Sequence, residues 1–202
     1  MKINNDLVVF DLETTDDEEH RIIEIGAVLL DRGLEPRDEM SFLVNPGVAL
    51  SENLTALTGI NEEMLAPRPA IAVALSFWKE WVRSRVGNLL RVRLCTWGNY
   101  FDVNVLRQEY SRIETNYPWS GTCFDVKTVA AVWCALSGRG TDKLGLKSVA
   151  GYMGVEPEGS WHRALPDAKV TAAVLKRAVA DLAGGVWLPG IGGSHRRVEV
   201  KG

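Results

Sequence analysis

The sequence has no long apolar run, few cysteines and almost no excess of charge of either sign. Its 202 residues carry 23 Lys and Arg against 26 Asp and Glu, which gives a formal net charge of −3. A protein that coats long stretches of nucleic acid needs many basic contacts to phosphates, so this balance argues against such a protein. It does not exclude an enzyme that grips a few nucleotides in a pocket where metal ions supply the positive charge.

The lack of long apolar runs and the small number of cysteines indicate in which cellular compartment the protein works. No segment is apolar for long enough to span a bilayer, and the apolar run in "MKINNDLVVF" is too short for a signal peptide. Cys95, Cys123 and Cys134 are odd in number, and their spacing matches no metal-binding pattern. Such usage is typical of reduced, mostly buried thiols, so we expect a cytoplasmic protein without membrane contact.

The sequence does contain alternating strand and helix patterns. The segments that favour strands are "LVVFDLET", "RIIEIGAVLLD", "EMSFLVNP", "LLRVRLCTWG" and the start of "GTCFDVKTVAAVWCAL". The segments that favour helices are "SENLTALTGI", Pro69 to Val86, "VNVLRQEYSRI", the rest of "GTCFDVKTVAAVWCAL", "LGLKSVAGYMG" and "LPDAKVTAAVLKRAVADLA". This order predicts an α/β fold with a mixed central sheet of about five strands and helices on both faces.

No linker or repeat divides the chain. We therefore expect one domain over residues 1–183, followed by a Gly-rich, basic segment at 184–202. That segment is either a loose tail or an added edge strand, and its composition leaves both open.

Two carboxylates at the end of the first predicted strand pose a physical problem. Asp11 and Glu13 are two residues apart, so their side chains point to the same face of a strand. Such a pair repels itself unless water solvates both groups or a cation lies between them. The pair alone is compatible with a solvated strand end and with a metal site.

Acidic residues recur at two other predicted element ends. Asp102, in "WGNYFD", follows a strand close to the start of a helix, where it can act as an N-cap. Asp167 lies in the first turn of the last long helix, where the helix dipole favours a surface acid. Each residue therefore has a structural explanation when it is taken alone.

Taken together, these acids and one histidine predict a hydrolytic metal site. If Asp11, Glu13, Asp102 and Asp167 converge at one edge of the sheet, their oxygens suit Mg²⁺ or Mn²⁺ rather than zinc. Two such ions can activate a water and stabilise the leaving oxygen in phosphodiester hydrolysis. His162, with an unperturbed pKa of about 6.5, can accept the proton of the attacking water.

Three motifs carry a family resemblance. "FDLETT", "WGNYFD" and "HRALPDA" resemble the signature motifs of the DnaQ-like 3′–5′ exonucleases of the ribonuclease H-like superfamily, in the branch named DEDDh for its five catalytic residues. "RIIEIGAVLLD", "FLVNP" and "LTALTGINEEML" are similar to the segments that follow the first motif, so the resemblance covers roughly residues 6 to 180. In general pattern the chain is most similar to the RNA-interference-enhancer and histone-mRNA exonucleases and the sporulation-pathway inhibitor.

The resemblance implies a role for each of the five residues. Asp11, Glu13 and Asp167 would bind the metal ions directly. Asp102 would contribute directly or through water, and His162 would be the general base.

The same resemblance implies a place for the substrate. Thr14 would lie beside the terminal nucleotide, with the backbone around Leu12 near its 3′ hydroxyl. Leu57 and Thr58 lie where relatives wedge the last base, in agreement with the use of apolar side chains to stack unpaired bases.

One position decides the class and another departs from the family pattern. A tyrosine variant of the family has Tyr four positions before the last Asp, where this chain has Arg163; with His162 five positions before that Asp, the histidine class fits better. Pro166 stands where relatives often have an acid, but proline is tolerated in the first turn of a helix, so we expect no loss of activity.

We therefore expect a 3′–5′ exonuclease that uses two Mg²⁺ or Mn²⁺ ions and releases nucleoside 5′-monophosphates from single-stranded RNA or DNA 3′ ends. Two alternatives stay open: a phosphodiesterase of the oligoribonuclease type for very short oligonucleotides, and a regulatory or proofreading-type interaction module whose catalysis is secondary. The sequence does not discriminate RNA from DNA. Many small relatives are dimers, which leaves a homodimer open.

Overall fold

A five-stranded mixed sheet forms the centre of the protein. The computed structural model describes residues 3–98, 100–119 and 122–184, together with short strands at 187–189 and 195–197. In chain order the central strands are β1 (Asp6–Thr14), β2 (Ile22–Leu30), β3 (Pro36–Leu43), β4 (Val92–Thr96) and β5 (Cys123–Asp125). They are arranged in the order β3-β2-β1-β4-β5. The β1–β2 and β2–β3 pairs are antiparallel, and the β1–β4 and β4–β5 pairs are parallel.

Helices cover both faces of this sheet. They are α1 (Glu52–Thr58), α2 (Glu62–Leu65), α3 (Ile71–Val86), α4 (Tyr100–Arg112), α5 (Val126–Leu136), α6 (Leu146–Met153) and α7 (Ala164–Gly184). Residues of α3 and α4 form one apolar core with the sheet, and residues of α5, α6 and α7 form another on the opposite face. The predicted architecture is thus confirmed. None of the helices in the described ranges combines the length and the apolar character that a membrane crossing requires.

Strand β1 is apolar on both faces because it lies in the middle of the sheet. Leu7 and Val9 belong to the core beneath α5, α6 and α7, whereas Val8 and Phe10 belong to the core beneath α3 and α4. The Phe10 ring packs against the indole of Trp78 with 5.2 Å between centroids. Burial on two sides explains the unbroken run "LVVF", since a half-exposed strand alternates apolar and polar residues.

Helix α4 begins earlier than its apolar pattern indicates. The pattern predicts a start at Val103, but the helix starts at Tyr100, which places Asp102 inside its first turn. The strand before it ends at Thr96, and Gly98 adopts a φ of 83°, a conformation that glycine takes without strain. The Gly98 N–H donates to the Asp125 carboxylate at 3.1 Å, which holds this tight connection.

Other differences lie at element ends. Strand β3 spans Pro36–Leu43 rather than starting at Glu39, because Asp31 accepts the N–H groups of Gly33 and Glu35 and starts the hairpin early. The short helix α2 was not predicted. The strands Trp187–Pro189 and His195–Arg197 pair with each other rather than with the central sheet, and the other residues of 185–202 lie outside the described ones.

Helix α7 starts in direct contact with the backbone of β2. A Cβ atom added to Gly26 would lie 2.1 Å from the Leu165 nitrogen and 2.2 Å from the Ala164 carbonyl carbon. Gly26 is also the residue that pairs with Asp11 across the β1–β2 ladder. The missing side chain therefore lets the first turn of α7 lie beside the carboxylate end of β1.

We expect Gly26→Ala to destabilise the protein by about 3 kcal/mol or more, at the upper end of overpacking costs, because backbone atoms cannot rotate away from the new methyl group. The free energy of unfolding in urea measures this. Gly151→Ala in α6 is the matched control: its Cβ would meet no atom within 4 Å, so the helix should gain about 0.5–1 kcal/mol. A Gly26→Ala protein as stable as wild type would contradict the close contact.

Candidate active site

The carboxylates of Asp11 and Glu13 lie on the face of β1 that α7 covers. Both follow Leu7 and Val9 at steps of two along the strand, and both are half-buried. On β2 their partners across the ladder are Gly26 and Glu24. The end of β1 therefore presents two acids to the start of α7, as the alternation of the strand predicts.

Asp167 completes a group of three carboxylates. Oxygen atoms of Asp11, Glu13 and Asp167 lie within 4.8 Å of one another. The Oδ1 atom of Asp167 is buried and has no hydrogen-bond partner among the described residues. A buried, unpaired oxygen on a carboxylate that lies close to two others is costly, and a hard divalent cation would offset that cost. These residues therefore fit a metal site of the Mg²⁺ or Mn²⁺ type.

Asp102 approaches β1 from the other side. It is 6% exposed in the first turn of α4, whose apolar residues pack on the opposite face of the sheet. Its Oδ1 accepts the N–H of Leu12 at 3.3 Å. Asp102 thus contacts the backbone between the two β1 acids, but it does not belong to the group of three.

Burial and mutual repulsion raise the pKa values of these acids. Burial holds the pKa of Asp11 well above its ordinary value, and the charges of Asp102 and Glu13 add to the effect. Burial, followed by the charges of Asp167 and Glu24, raises the pKa of Glu13 to about 8. Burial also raises the pKa of Asp102 to about 7. Without a cation, these carboxyl groups therefore retain protons near neutral pH.

His162 lies in the segment that leads into α7. The residue is exposed and has a φ of 60°, in the left-handed region. Its backbone N–H donates to Asp167 Oδ2 at 3.2 Å. This hydrogen bond counters the effect of burial, which raises the pKa of Asp167. The structure thus brings His162 to the carboxylate group while its side chain stays open to solvent.

The predicted base-wedging segment lies at the end of α1. Leu57 is 54% exposed, whereas Thr58 is 5% exposed. The Thr58 hydroxyl donates to the Leu54 carbonyl at 2.9 Å and accepts the Ile60 N–H at 3.1 Å. Leu57 is therefore the member of the pair whose side chain is open to a substrate, and Thr58 supports the helix end.

A hydrogen bond ties this helix to the end of β1. The Ser51 hydroxyl caps α1 by accepting the Leu54 N–H, and it donates to Asp16 Oδ2 at 2.6 Å. Asp16 follows the half-buried Thr14 by two residues. The segment around Leu12 and Thr14, predicted to contact the terminal nucleotide, is thereby linked to the helix that carries Leu57.

Sequence reasoning missed two features beside the carboxylates. Arg163 forms a bidentate ion pair with the buried Glu24, with Nη2–Oε1 and Nε–Oε2 distances of 2.7 and 3.0 Å. An acid inside the apolar segment "IIEIG" indicates a buried partner, but it does not identify the partner.

The second feature is an aromatic contact next to Asp102. The ring of His20 lies edge-on to Phe101, with 5.1 Å between the ring centroids, and Phe101 directly precedes Asp102. In the sequence, Phe101 is one of three aromatic residues in "WGNYFD", and nothing there identifies His20 as its partner.

Comparison with known families identifies an exonuclease. The family model of the RNase T group, described as "Exonuclease", matches residues 8–175. The chain is 30% identical over 174 residues to the DNA polymerase III subunit epsilon of Treponema pallidum, which covers 85% of this chain and 75% of that protein. It is also 31% identical over 175 residues to the PolC-type DNA polymerase III of Clostridium perfringens, over 86% of this chain. That match spans only 11% of the polymerase, so the chain corresponds to a small part of it.

Solved structures with the same fold include several nucleases. The nuclease domain of 3′hExo, a DEDDh family member bound to rAMP, has a TM-score of 0.76 at 21% identity and covers 88% of this chain and 93% of that one. Cell-death related nuclease 4 has a TM-score of 0.76 at 16% identity, over 87% of this chain and 64% of that one. These matches agree with the mixed sheet of the ribonuclease H-like fold. The chain therefore belongs to the RNase T exonuclease family, as a DnaQ-like exonuclease domain.

Proposed function

We propose that this domain hydrolyses single-stranded nucleic acid from the 3′ end and releases nucleoside 5′-monophosphates. The observation that supports this most strongly is the convergence of Asp11, Glu13 and Asp167 within 4.8 Å, with one buried oxygen left unpaired. Exonucleases of the DEDDh type use divalent metal ions, and this carboxylate group offers the ligands that such ions require.

Each residue of the site has a distinct part in the proposed reaction. Asp11, Glu13 and Asp167 would hold two Mg²⁺ or Mn²⁺ ions, with Asp102 contributing directly or through water. When bound, these ions supply Lewis-acid stabilisation of the charge that develops on the scissile phosphate. His162 removes the proton of the attacking water; the residue is exposed, and its backbone N–H is bonded to Asp167, which keeps it at the carboxylate group.

The substrate end would lie between β1 and α1. The exposed Leu57 stacks against the last base, and Thr58 fixes the turn that presents Leu57. Thr14 and the backbone of Leu12 contact the terminal sugar. An apolar wedge accepts every base, because every base has a π-face, so it favours exonuclease action without sequence preference.

The known relatives favour one further role. Similarity to the epsilon subunit of DNA polymerase III over 75% of that protein favours an exonuclease that works beside a bound polymerase. Co-purification with a stoichiometric polymerase tests this partner.

The oligoribonuclease-type alternative predicts a preference for the shortest substrates. The rate of product formation on a series of substrates of two to twenty nucleotides distinguishes this alternative from an exonuclease for longer strands. A homodimer is the remaining proposal on assembly, and its mass in solution decides it.

We place the catalytic domain at residues 1–183 and the tail at 184–202. The family match ends at residue 175, and α7 ends at Gly184, which supports this boundary. The tail begins where the last helix of the catalytic domain ends. It therefore contributes none of the residues proposed for catalysis.

The activity itself is tested with 5′-labelled RNA and DNA single strands of equal sequence, incubated with Mn²⁺ or with EDTA. We expect a metal-dependent ladder of shortening products. Asp11→Asn should slow it by about 10²–10³-fold or more, as expected when one electrostatic contact to a transition state is lost. Asp6→Asn, at the other end of the same strand, is the matched control and should keep the wild-type rate. Immediate release of the labelled mononucleotide would instead indicate 5′–3′ action, and a fully active Asp11→Asn protein would refute the carboxylate site.

The raised pKa values predict how the metal-free stability changes with pH. The pKa of Glu13 is about 8 and that of Asp102 about 7, whereas unfolded carboxyl groups titrate at about 4. Between about pH 4 and about pH 8, the folded state therefore binds more protons than the unfolded state. The free energy of unfolding must then fall as pH rises through this range. In EDTA, we expect the melting temperature to decrease from pH 5 to pH 8.

Asp11→Asn should flatten that decrease, since it removes one of the repelling charges, and Mg²⁺ should raise the melting temperature of wild type most strongly at pH 8. Asp6→Asn serves again as the control and should keep the wild-type slope. A melting temperature that rises from pH 5 to pH 8, or an unchanged slope in Asp11→Asn, would show that the acids do not repel one another as described.

A further inference from the structure

Glu24 differs from the other acids of the site because its hydrogen-bonding capacity is used inside the protein. It is 1% exposed, and its Oε2 accepts the Ala164 N–H at 3.0 Å in addition to the Arg163 Nε. Its Oε1 accepts the Arg163 Nη2 at 2.7 Å and the Ser41 hydroxyl at 3.4 Å. Both oxygens are therefore occupied, and all but the Ser41 contact come from the start of α7. Glu24 is a structural anchor and not a further metal ligand.

Arg163 connects this anchor to the proposed base. It lies between His162, whose backbone is in the left-handed region, and Ala164, the first residue of α7. A non-glycine residue in that region is strained and persists only when its surroundings hold it. On one side the His162 N–H is held by Asp167, and on the other side the next two residues are held by Glu24.

We propose that Glu24 and Arg163 form a positioning pair that fixes the backbone of His162 relative to the β1 carboxylates. This rests on the proposed role of His162 as the general base. The pair links β2 to the residue that follows His162, so it holds the His162 backbone near the group formed by Asp11, Glu13 and Asp167. Arg163 occupies the position of the catalytic tyrosine in the tyrosine class, yet it acts through its neighbour.

The chemistry of arginine fits this role and excludes a direct one. The guanidinium group stays protonated at all relevant pH values, so it cannot remove a proton from water. Two of its three nitrogens are already engaged by Glu24, and its side chain is only 33% exposed, so little of its hydrogen-bonding capacity is free for a substrate. A lysine cannot replace it, because a single ammonium group lacks the planar fork that holds both carboxylate oxygens.

The test is a double-mutant cycle between Arg163 and His162, using initial rates on a 5′-labelled single strand with Mn²⁺. His162→Ala alone should lower kcat by about 10²–10⁴-fold, the usual share of a general base. Arg163→Met should lower kcat by about 10–100-fold with little change in KM, since a misplacement of about 1 Å has effects of this size. In the His162→Ala background, Arg163→Met should have less than about a twofold effect, because effects within one functional unit do not add.

Three further proteins complete the design. Arg163→Lys should behave like Arg163→Met, and Glu24→Gln/Arg163→Met removes both partners in case a lone buried Glu24 prevents folding. Arg83→Met, which removes an exposed ion pair with Glu80 on α3, is the matched control and should keep the wild-type kcat. Calorimetric titration with Mn²⁺ is the independent readout. Glu24→Gln/Arg163→Met removes one positive and one negative charge together, so it should bind Mn²⁺ like wild type, because Gly26 still holds the start of α7.

The outcomes separate this inference from the proposed function. The positioning role is wrong if Arg163→Met slows the reaction by the same factor in the wild-type and the His162→Ala backgrounds. It is also wrong if the wild-type protein is active and Arg163→Met has the same rate. In both cases the exonuclease activity stands. If wild type fails to shorten 3′ ends at all, the proposed function is wrong, and the positioning role is overturned with it.

Discussion

The first turn of helix α7 packs directly against the backbone of Gly26 on β2, and the whole site depends on that contact. Gly26 faces α7 at the point where β2 pairs with Asp11, so the helix start and the strand acids meet. The contact delivers Asp167 to the end of β1. It also brings three negative charges within 4.8 Å of one another, which a folded chain tolerates only through protons or a cation.

The rest of the site limits that repulsion without removing it. Glu24 is paired with Arg163, and Asp102 receives a backbone N–H, but Asp167 keeps an unpaired oxygen. A cation of the Mg²⁺ type would satisfy that oxygen and allow its neighbours to ionise. The same arrangement places a solvent-exposed histidine, His162, two residues before the helix. Fold, charge and proposed chemistry thus depend on one close approach between a helix and a strand.

Much of this arrangement could be predicted from the sequence, because periodicity and motif order carry it. The two-residue spacing of Asp11 and Glu13 predicts a shared face, and the three motifs alone indicate the family. The Glu24–Arg163 pair could not be predicted, since 139 residues separate its members and nothing local identifies the partner. The apolar pattern predicts a start of α4 that is three residues too late, for a related reason: the tight connection at Gly98 depends on Asp125, which lies at the end of a different strand. The difference in exposure between Leu57 and Thr58 likewise follows from how α1 packs, and the sequence pattern of the helix does not predict it.

The most direct test of the central claim is a crystal of the protein soaked in Mn²⁺ and measured at the manganese absorption edge. We expect anomalous peaks in contact with carboxylate oxygens of Asp11, Glu13 and Asp167, at roughly 2.0–2.2 Å, as for a hard divalent ion with oxygen ligands. The previously unpaired Oδ1 of Asp167 should be among the ligands. Peaks only at other surfaces, or none at saturating Mn²⁺ with the three carboxylates still within 4.8 Å, would contradict the account.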